Sequence, residues 1–176
     1  AGKSPKTLSV VSIGKKEGKT TISINLALVC CQSGEKVLLI DGNLRNPAGL
    51  KSFNVTKNVG LSSYLQGHAE LEEIIQPLRE KLDIIIGGQI ITSPLRLLES
   101  MRMQNLIERM KEVYDMIIID TPAIDVGNDA ISLSCYCENV LFVIASGESL
   151  GQRIKRTMEL FQRFKIRILG VILNKV

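Results

Sequence analysis

The 176-residue sequence is 45% hydrophobic and 23% charged, with a formal net charge of +4. This composition excludes a disordered chain, and no apolar run approaches the roughly 18 residues that span a bilayer. The N-terminal residues lack the apolar core of a signal peptide, and the four cysteines lack the Cys-x-x-Cys spacing of a metal site. We therefore expect one cytoplasmic domain over residues 1–176, with reduced and buried cysteines.

Short β-branched apolar runs alternate along the chain with longer segments of helical period. Strands are predicted at Leu8–Ile13, Lys36–Ile40, Leu82–Ile86, Met116–Ile119, Asn139–Ile144 and Ile168–Leu173. Helices are predicted at Lys19–Ser33, Pro94–Val113, Asp129–Cys135 and Leu150–Phe164, with short ones near Leu61–Leu65 and Leu71–Ile75. The strands are too continuously apolar to have a wet face. The pattern predicts a doubly wound α/β fold, whose mainly parallel sheet carries helices on both faces.

A glycine- and lysine-rich loop follows the first predicted strand. It reads Ile-Gly-Lys-Lys-Glu-Gly-Lys-Thr-Thr from Ile13 to Thr21 and leads into a predicted helix. Backbone N–H groups at such a helix N-terminus bind phosphate. Gly18 allows close backbone approach, Lys19 would bridge the β- and γ-phosphates, and Thr20 would offer its hydroxyl to Mg²⁺. The sequence thus predicts a P-loop for Mg-ATP, with nucleotide-binding residues Gly14, Lys15, Lys16, Glu17, Gly18, Lys19, Thr20 and Thr21.

Two carboxylates end two other predicted strands. Asp41 follows Val-Leu-Leu-Ile, and Asp120 follows Ile-Ile-Ile. An unpaired charge at the end of a buried strand is costly, so a cation or a hydrogen-bond donor is expected beside each one. Mg²⁺ is held by few carboxylates together with substrate phosphates and water. The two aspartates therefore extend the predicted phosphate site to a magnesium–nucleotide site.

Several motifs resemble those of the bacterial tyrosine kinases. Val37–Pro47 is similar to their second acidic motif, usually Asp-x-Asp-x-Arg with a Pro nearby, and Gly60–Gly67 resembles their Gly-Leu-Ser-x-x-Leu-x-Gly. Further matches occur in the family's order at Gly87–Gly88, Ser93–Pro94, Leu97–Ser100, Tyr114–Asp115 and Leu169–Asn174. These kinases belong to the deviant P-loop ATPases, which include the cell-division and chromosome-partition ATPases.

The resemblance implies a role for each matching residue. Lys19 and Thr20 would hold phosphate and Mg²⁺, and Asp120 would coordinate the metal directly or through water. Asp41 would be the base, or the orienting acceptor, for an attacking tyrosine hydroxyl, and would also face the metal. Asn174 would lie near the adenine. The catalytic residues implied are therefore Lys19, Asp41 and Asp120.

The resemblance also implies partners and a location. Family members phosphorylate clustered tyrosines in their own C-terminal tails, assemble into rings, and work beside a membrane-embedded polysaccharide chain-length regulator that activates them. We therefore expect a tyrosine-containing tail of the same or a neighbouring chain as substrate. We expect the protein to lie at the inner face of the cell membrane and to act in capsular or exopolysaccharide synthesis and export.

The sequence departs from the family pattern around the proposed site. Asn43 stands where the family has a second Asp, so this metal ligand keeps an oxygen but loses a charge. Lys15 and Lys16 replace the small residues common in the loop and add positive charge near the phosphates. The signature Lys of the deviant ATPases falls at Gly14. Arg45 is predicted to form a salt bridge within the acidic loop, or to contact a nucleotide or a neighbouring subunit.

Two other functions stay open at this point. One is an ATP-driven dimerising switch of the MinD/ParA type, and the other is a catalytically impaired, nucleotide-binding regulator that acts by docking. The basic residues between Arg153 and Arg167 are either a solvated helix face or a surface for anionic lipid or an acidic partner. Nucleic acid is not expected as a partner, because few aromatic residues are available to stack on bases.

Overall fold

A computed structural model describes residues 5–47, 50, 53, 59–145 and 151–175. Its strands are β1 Thr7–Ser12, β2 Val37–Asp41, β3 Gln76–Arg79, β4 Leu82–Ile85, β5 Met116–Asp120, β6 Asn139–Ala145 and β7 Ile168–Asn174. Its helices are α1 Lys19–Gln32, α2 Leu61–Leu65, α3 Leu71–Ile74, α4 Leu95–Leu98, α5 Met101–Val113, α6 Asp129–Ser134 and α7 Gly151–Arg163. Within these residues, no helix has the length and apolarity to cross a membrane.

The seven strands form one sheet in the order β3-β4-β2-β5-β1-β6-β7. All neighbours are parallel except β3 and β4, which are antiparallel. From β1 the chain first builds the sheet on the β5 side and later on the β6 side. The end of β1 is therefore the topological switch point, where ligands bind in folds of this kind.

Helices cover both faces of the sheet. Leu39 and Ile118 face α1, whereas Ile40 and Ile119 belong to the apolar cluster that contains α2 and α5. A third cluster joins β6 to α7 through an edge-to-face contact between Phe142 and Phe161, whose ring centroids are 5.9 Å apart. This confirms the doubly wound fold predicted from the sequence.

Two predictions of secondary structure were wrong. The helix predicted over Pro94–Val113 is two helices, because Ser100 adopts an extended backbone and its Oγ caps α5 by accepting the N–H of Met103 at 3.3 Å. The excursion predicted before Lys81 contains the edge strand β3. This strand was missed because Gln76, Pro77 and Arg79 lack the apolar alternation of a strand, although an edge position tolerates them.

The remaining elements fall within one or two residues of their predicted bounds, except that Leu150 lies outside the described residues. Tyr64 and Tyr114 are buried, as expected for packing residues. All four cysteines are free thiols, but the expectation that they are buried was wrong: Cys135 is exposed at the end of α6, and the other three are half-buried.

Candidate functional site

The loop between β1 and α1 is held from both sides. Ser12 Oγ donates to the Gly14 carbonyl at 2.7 Å, and Asn174 Nδ2, from the end of β7, donates to the Glu17 carbonyl at 2.9 Å. Gly18 has a φ of 100°, which a residue with a Cβ rarely adopts, and no side chain caps the N–H groups of α1 there. The first turn of α1 therefore presents free N–H donors to an anion.

Lys19 is the first residue of α1, and its buried side chain folds back into this loop. Its Nζ donates to Ser12 Oγ and, at 3.2 Å, to the Gly14 carbonyl. Burial lowers the pKa of Lys19, while the nearby carboxylates of Asp120 and Glu17 raise it in part. The side chain thus places a cation within the loop, where a phosphate oxygen is a stronger acceptor than a hydroxyl or a carbonyl.

Asp120 ends β5 and faces the start of α1. Its Oδ2 accepts the Thr20 hydroxyl at 2.6 Å, and its Oδ1 accepts that of Ser23 at 3.4 Å. Burial raises the pKa of Asp120 to about 6, although Thr20, Lys19 and Ser23 each favour its charged form. A hydroxyl and a carboxylate in direct contact at the helix start are the two protein groups that a P-loop offers to Mg²⁺.

Asp41 ends β2 at the register position beside Asp120. Its Oδ1 accepts the backbone N–H of Asn43 at 3.0 Å, and its Oδ2 is buried without a hydrogen bond. Burial raises the pKa of Asp41 to about 7; the neighbouring Asp120 adds to the rise, and the nearby backbone N–H groups of Asn43, Gly87 and Leu50 oppose it. A buried carboxylate oxygen without a donor is a position that a cation or a proton fills.

The loop after β2 differs from its prediction in one respect. Arg45 forms a two-pronged ion pair with Asp129 of α6, with Nε···Oδ2 at 2.5 Å and Nη2···Oδ1 at 3.1 Å. The expected salt bridge therefore exists, but its acidic partner lies in α6 and not within the acidic loop. Asn43 turns its Oδ1 toward its own loop, where it accepts the N–H of Asn46 at 3.3 Å.

A cleft of about 330 Å³ opens above these groups. Its walls include Lys15, Lys16, Asn43, Arg45 and Thr121, and it also reaches Lys19 and Thr20. A smaller pocket of about 250 Å³ is lined by Gly18 and Thr21 together with Lys16, Lys19 and Thr20, which also line the cleft. The cleft is positively charged on its loop side, as a polyphosphate site requires.

The structure brings together most of the predicted site residues. Lys19, Thr20, Asp41 and Asp120 converge at the carboxyl edge of the central strands, and Asn174 contacts the loop from β7. Glu17 is buried, and neither of its carboxylate oxygens has a hydrogen bond.

The predicted site residues did not include Ser12, Ser23 and Asp129, or Thr121 in the wall of the cleft. One of them left a signal. Ser23 follows Thr20 by three residues, so both hydroxyls lie on one face of α1. Ser12 and Asp129 gave no comparable sign, because their partners Lys19 and Arg45 are set by the tertiary fold.

The donor set fits a magnesium ion held largely by its nucleotide. Among the described residues, no three His, Cys, Asp or Glu side chains converge. Two carboxylates and one hydroxyl are too few ligands for a protein-only site, but they suit Mg²⁺ that keeps water and phosphate ligands. The open Oδ2 of Asp41 is in keeping with this composition.

Comparison with known proteins agrees with this geometry. Residues 8–156 match the AAA domain family. Tyrosine-protein kinase CpsD of Streptococcus agalactiae is 35% identical over 178 residues, which cover 100% of this chain and 78% of that protein. The chain belongs to the bacterial tyrosine-protein kinases. The family resemblance seen in the motifs is thereby confirmed.

Solved structures show the same relationship. The kinase domain of the Escherichia coli tyrosine kinase ETK superposes with a TM-score of 0.91 at 34% identity, covering 97% of this chain and 68% of that one. The septum site-determining protein MinD of Pyrococcus horikoshii OT3, in complex with Mg-ADP, superposes with a TM-score of 0.81 at 31% identity, covering 96% and 69%. The kinase family therefore shares its nucleotide-binding P-loop fold with a division ATPase.

Proposed function

We propose that this chain is a catalytic domain that transfers the γ-phosphoryl group of Mg-ATP to tyrosine hydroxyls, in the control of capsular or exopolysaccharide synthesis and export. One observation carries the proposal. Lys19, the Thr20–Asp120 pair and Asp41 lie together at the switch point of the sheet, below a cleft with basic residues on its rim. Catalysis of phosphoryl transfer consists mainly of positioning and charge neutralisation, which these groups supply.

Each group has a defined task. Lys19 exchanges its contacts with Ser12 and the Gly14 carbonyl for phosphate oxygens, while the N–H groups of α1 hold the same phosphates. Thr20 and Asp120 would hold Mg²⁺ together with Asp41, and Asn43 would lie beside the ion. The ion, when bound, neutralises charge on the phosphates.

Asp41 takes the proton of the tyrosine hydroxyl or orients it. Without a bound metal, burial raises the pKa of Asp41 to about 7, so this carboxylate accepts a proton more readily than an exposed aspartate does. Because Asp41 is only 1% exposed, a tyrosine can reach the carboxylate only after the residues that cover it move. Asn174, which touches the loop at Glu17, contacts the adenine.

Substrate and partners follow from the motif resemblance. We propose that the acceptors are clustered tyrosines in the tail of this protein or of a neighbour in a ring. A membrane-embedded chain-length regulator would activate the domain and hold it at the inner face of the membrane. The tyrosines within the described residues are poor acceptors: Tyr64 and Tyr114 are buried, and the Tyr136 hydroxyl donates to the Leu98 carbonyl at 2.9 Å.

The test uses the full-length protein, its activator and Mg-ATP, with phosphotyrosine as the readout. Lys19→Met is expected to abolish the signal, because it removes the buried cation of the loop. Lys15→Met removes an exposed cation from the same loop and is expected to keep turnover, with less than about tenfold weaker ATP binding. Persistent phosphotyrosine in the Lys19→Met protein would contradict the proposal.

The likeness to MinD supports a second candidate function, that of an ATP-driven switch. The same residues would then drive hydrolysis and assembly in place of phosphoryl transfer to tyrosine. ATP turnover that continues without phosphotyrosine, in the presence of the activator and the complete tail, would identify the switch.

A further inference from the structure

The strand β7 forms one edge of the sheet. Its residues Ile168–Asn174 pair with β6 on one side, and among the described residues no strand pairs with the other side. An edge strand of seven residues presents unpaired N–H and C=O groups that can bind another strand. This edge carries neither a proline nor a charged side chain between its ends, and its register against β6 shifts at Leu169, so the regular part of the edge runs from Gly170 to Asn174.

An apolar stripe accompanies the free edge. Val171 lies beside Phe142 and Leu173 beside Ile144, so both side chains are on the face of the sheet that α7 covers. The helix covers Phe142 through Phe161, and Ile168 at the start of β7 packs against the same cluster, but the later residues of the strand are more open. Val171 and Leu173 remain 55% and 56% exposed. With Leu169 at 53%, three apolar side chains at alternate positions of one strand are left open to solvent.

The surroundings of β7 are strongly basic. Residues 151–175 contain seven Lys or Arg and one acidic residue, Glu159. Arg163, Lys165 and Arg167 are exposed before the strand, and Lys175 is exposed after it. None of the ion pairs formed between described residues involves these four cations.

The charges around β7 and its unpaired backbone groups limit what can bind to this edge of the sheet. If two copies paired antiparallel about Val171, Arg167 would face Lys175, and parallel pairing would place each cation beside its own kind. A second copy is therefore repelled at both ends. A lipid bilayer is disfavoured too, because the unpaired backbone groups of an edge strand cannot enter hydrocarbon.

We propose that β7 binds an extended segment of a partner protein, which adds to the sheet as an eighth strand. The segment carries apolar residues at alternate positions, which pack beside Leu169, Val171 and Leu173, and acidic residues at both ends, which pair with the cations around Arg167 and Lys175. Backbone hydrogen bonds supply affinity, and the alternate side chains and end charges supply specificity. The proposal does not depend on the catalytic assignment.

The probe is a fluorescein-labelled peptide with alternating Val and Thr residues between Asp-Glu ends. Anisotropy is expected to show saturable binding to the wild-type protein, and hydrogen exchange of the amides in residues 168–174 is expected to slow when the peptide is bound. The same peptide with Lys ends is expected to bind at least about tenfold more weakly, since it repels the flanking cations. Equal binding of both peptides, or binding without amide protection, would overturn the proposal.

Two matched variants test whether binding depends on the exposed edge of β7 or only on the added charge. Val171→Lys places a charge in the stripe and is expected to weaken binding by about tenfold or more. Val29→Lys makes the same change at a valine of α1 that is 56% exposed and is expected to leave binding unchanged. Circular dichroism checks that both variants fold. Unchanged binding by Val171→Lys would overturn the proposal. The proposal would also be overturned if the wild-type protein self-associated, or bound phosphatidylserine vesicles, and Val171→Lys abolished that behaviour. A second copy or lipid would then be the occupant of the edge.

Discussion

Asp41 and Asp120 occupy paired positions at the ends of β2 and β5, and both carboxylates are almost completely buried. Burial is the main reason that their pKa values rise, to about 7 and about 6, and Asp120 raises the value of Asp41 further. Two neighbouring buried carboxylates destabilise the fold when both are charged. A bound cation removes this penalty, so the arrangement favours ligand binding over stability of the empty site.

Stability without ligand is therefore expected to fall as the pH rises. The pKa of Asp41 in the folded protein lies above its ordinary value of 3.8, so the folded state binds more protons than the unfolded state between those values. The contribution of protonated Asp41 to the free energy of unfolding is fully present below about pH 4 and is lost as the pH passes about 7. Its magnitude is on the order of a few kcal/mol.

Urea unfolding at pH 5 and pH 8, with EDTA and no nucleotide, measures this difference. Asp41→Asn is expected to reduce it strongly, whereas Glu112→Gln, at an exposed position of α5, is expected to preserve it. A loss between pH 5 and pH 8 that is equally steep in Asp41→Asn and in the wild type would show that another group is responsible.

Asn43→Asp is expected to strengthen metal-dependent nucleotide binding. The change restores a negative charge beside the cleft, two residues after Asp41, and is expected to lower the Mg²⁺ concentration for half-maximal binding by roughly three- to tenfold. Titration with a fluorescent ATP analogue at fixed nucleotide and varied Mg²⁺ measures this shift.

Asn46→Asp adds the same charge at an exposed position of the same loop and is expected to shift the midpoint less. If neither Mg²⁺ affinity nor ATP turnover rises in Asn43→Asp, position 43 does not limit the metal site, and the interpretation of this chain as an impaired regulator is weakened.

The chemistry of the site was predictable where it depends on local sequence. Lys19 and Thr20 follow a strand directly, and Asp41 and Asp120 end two apolar runs, so their convergence follows from the parallel order of the strands. The role of Ser12 was not predictable, because it depends on how the Lys19 side chain folds back over the loop.

Contacts between distant elements set the limit of prediction. Arg45 was expected to pair within its own loop, yet Asp129 lies 84 residues away and reaches it only because α6 packs beside the cleft. The strand β3 pairs with β4 through backbone hydrogen bonds that tolerate Pro77 at an edge, so no apolar pattern marks it. In both cases the deciding interaction is tertiary.

The Arg45–Asp129 pair is expected to stabilise the wall of the cleft. Asp129 has a side chain only 1% exposed and accepts both prongs of the guanidinium, whereas Arg45 is 30% exposed. Arg45→Ala leaves a buried carboxylate without its partner and is expected to cost about 2 kcal/mol, less than for a fully buried pair because water still reaches the arginine. Arg45→Lys is expected to recover only part of this loss, because an ammonium cannot bridge both oxygens.

A double-mutant cycle with Asp129→Asn, measured by urea unfolding, isolates the pair from other effects. The sum of the stability losses in the two single variants is expected to exceed the stability loss in the double variant. Additive losses would mean that each residue acts through other contacts and that the pair itself contributes little.

Asn174 is expected to act on nucleotide affinity through the loop as well as through the base. Its Nδ2 donates to the Glu17 carbonyl and lies so close to Gly18 that a Cβ there would be 2.1 Å away. Asn174→Ala removes this support and is expected to weaken ATP binding by roughly tenfold, about the effect of one lost hydrogen bond. Leu173→Ala, which shortens the preceding exposed side chain, is expected to change affinity by less than about twofold.

Measuring ATP and GTP in parallel separates the two contributions. If Asn174 only holds the loop, both nucleotides weaken by the same factor in Asn174→Ala, because both carry the same triphosphate. If it also contacts adenine, the preference for ATP over GTP falls as well, and this is the expected result. Unchanged affinity for both nucleotides would remove Asn174 from the site, since the loop would then keep its shape without the bond from β7.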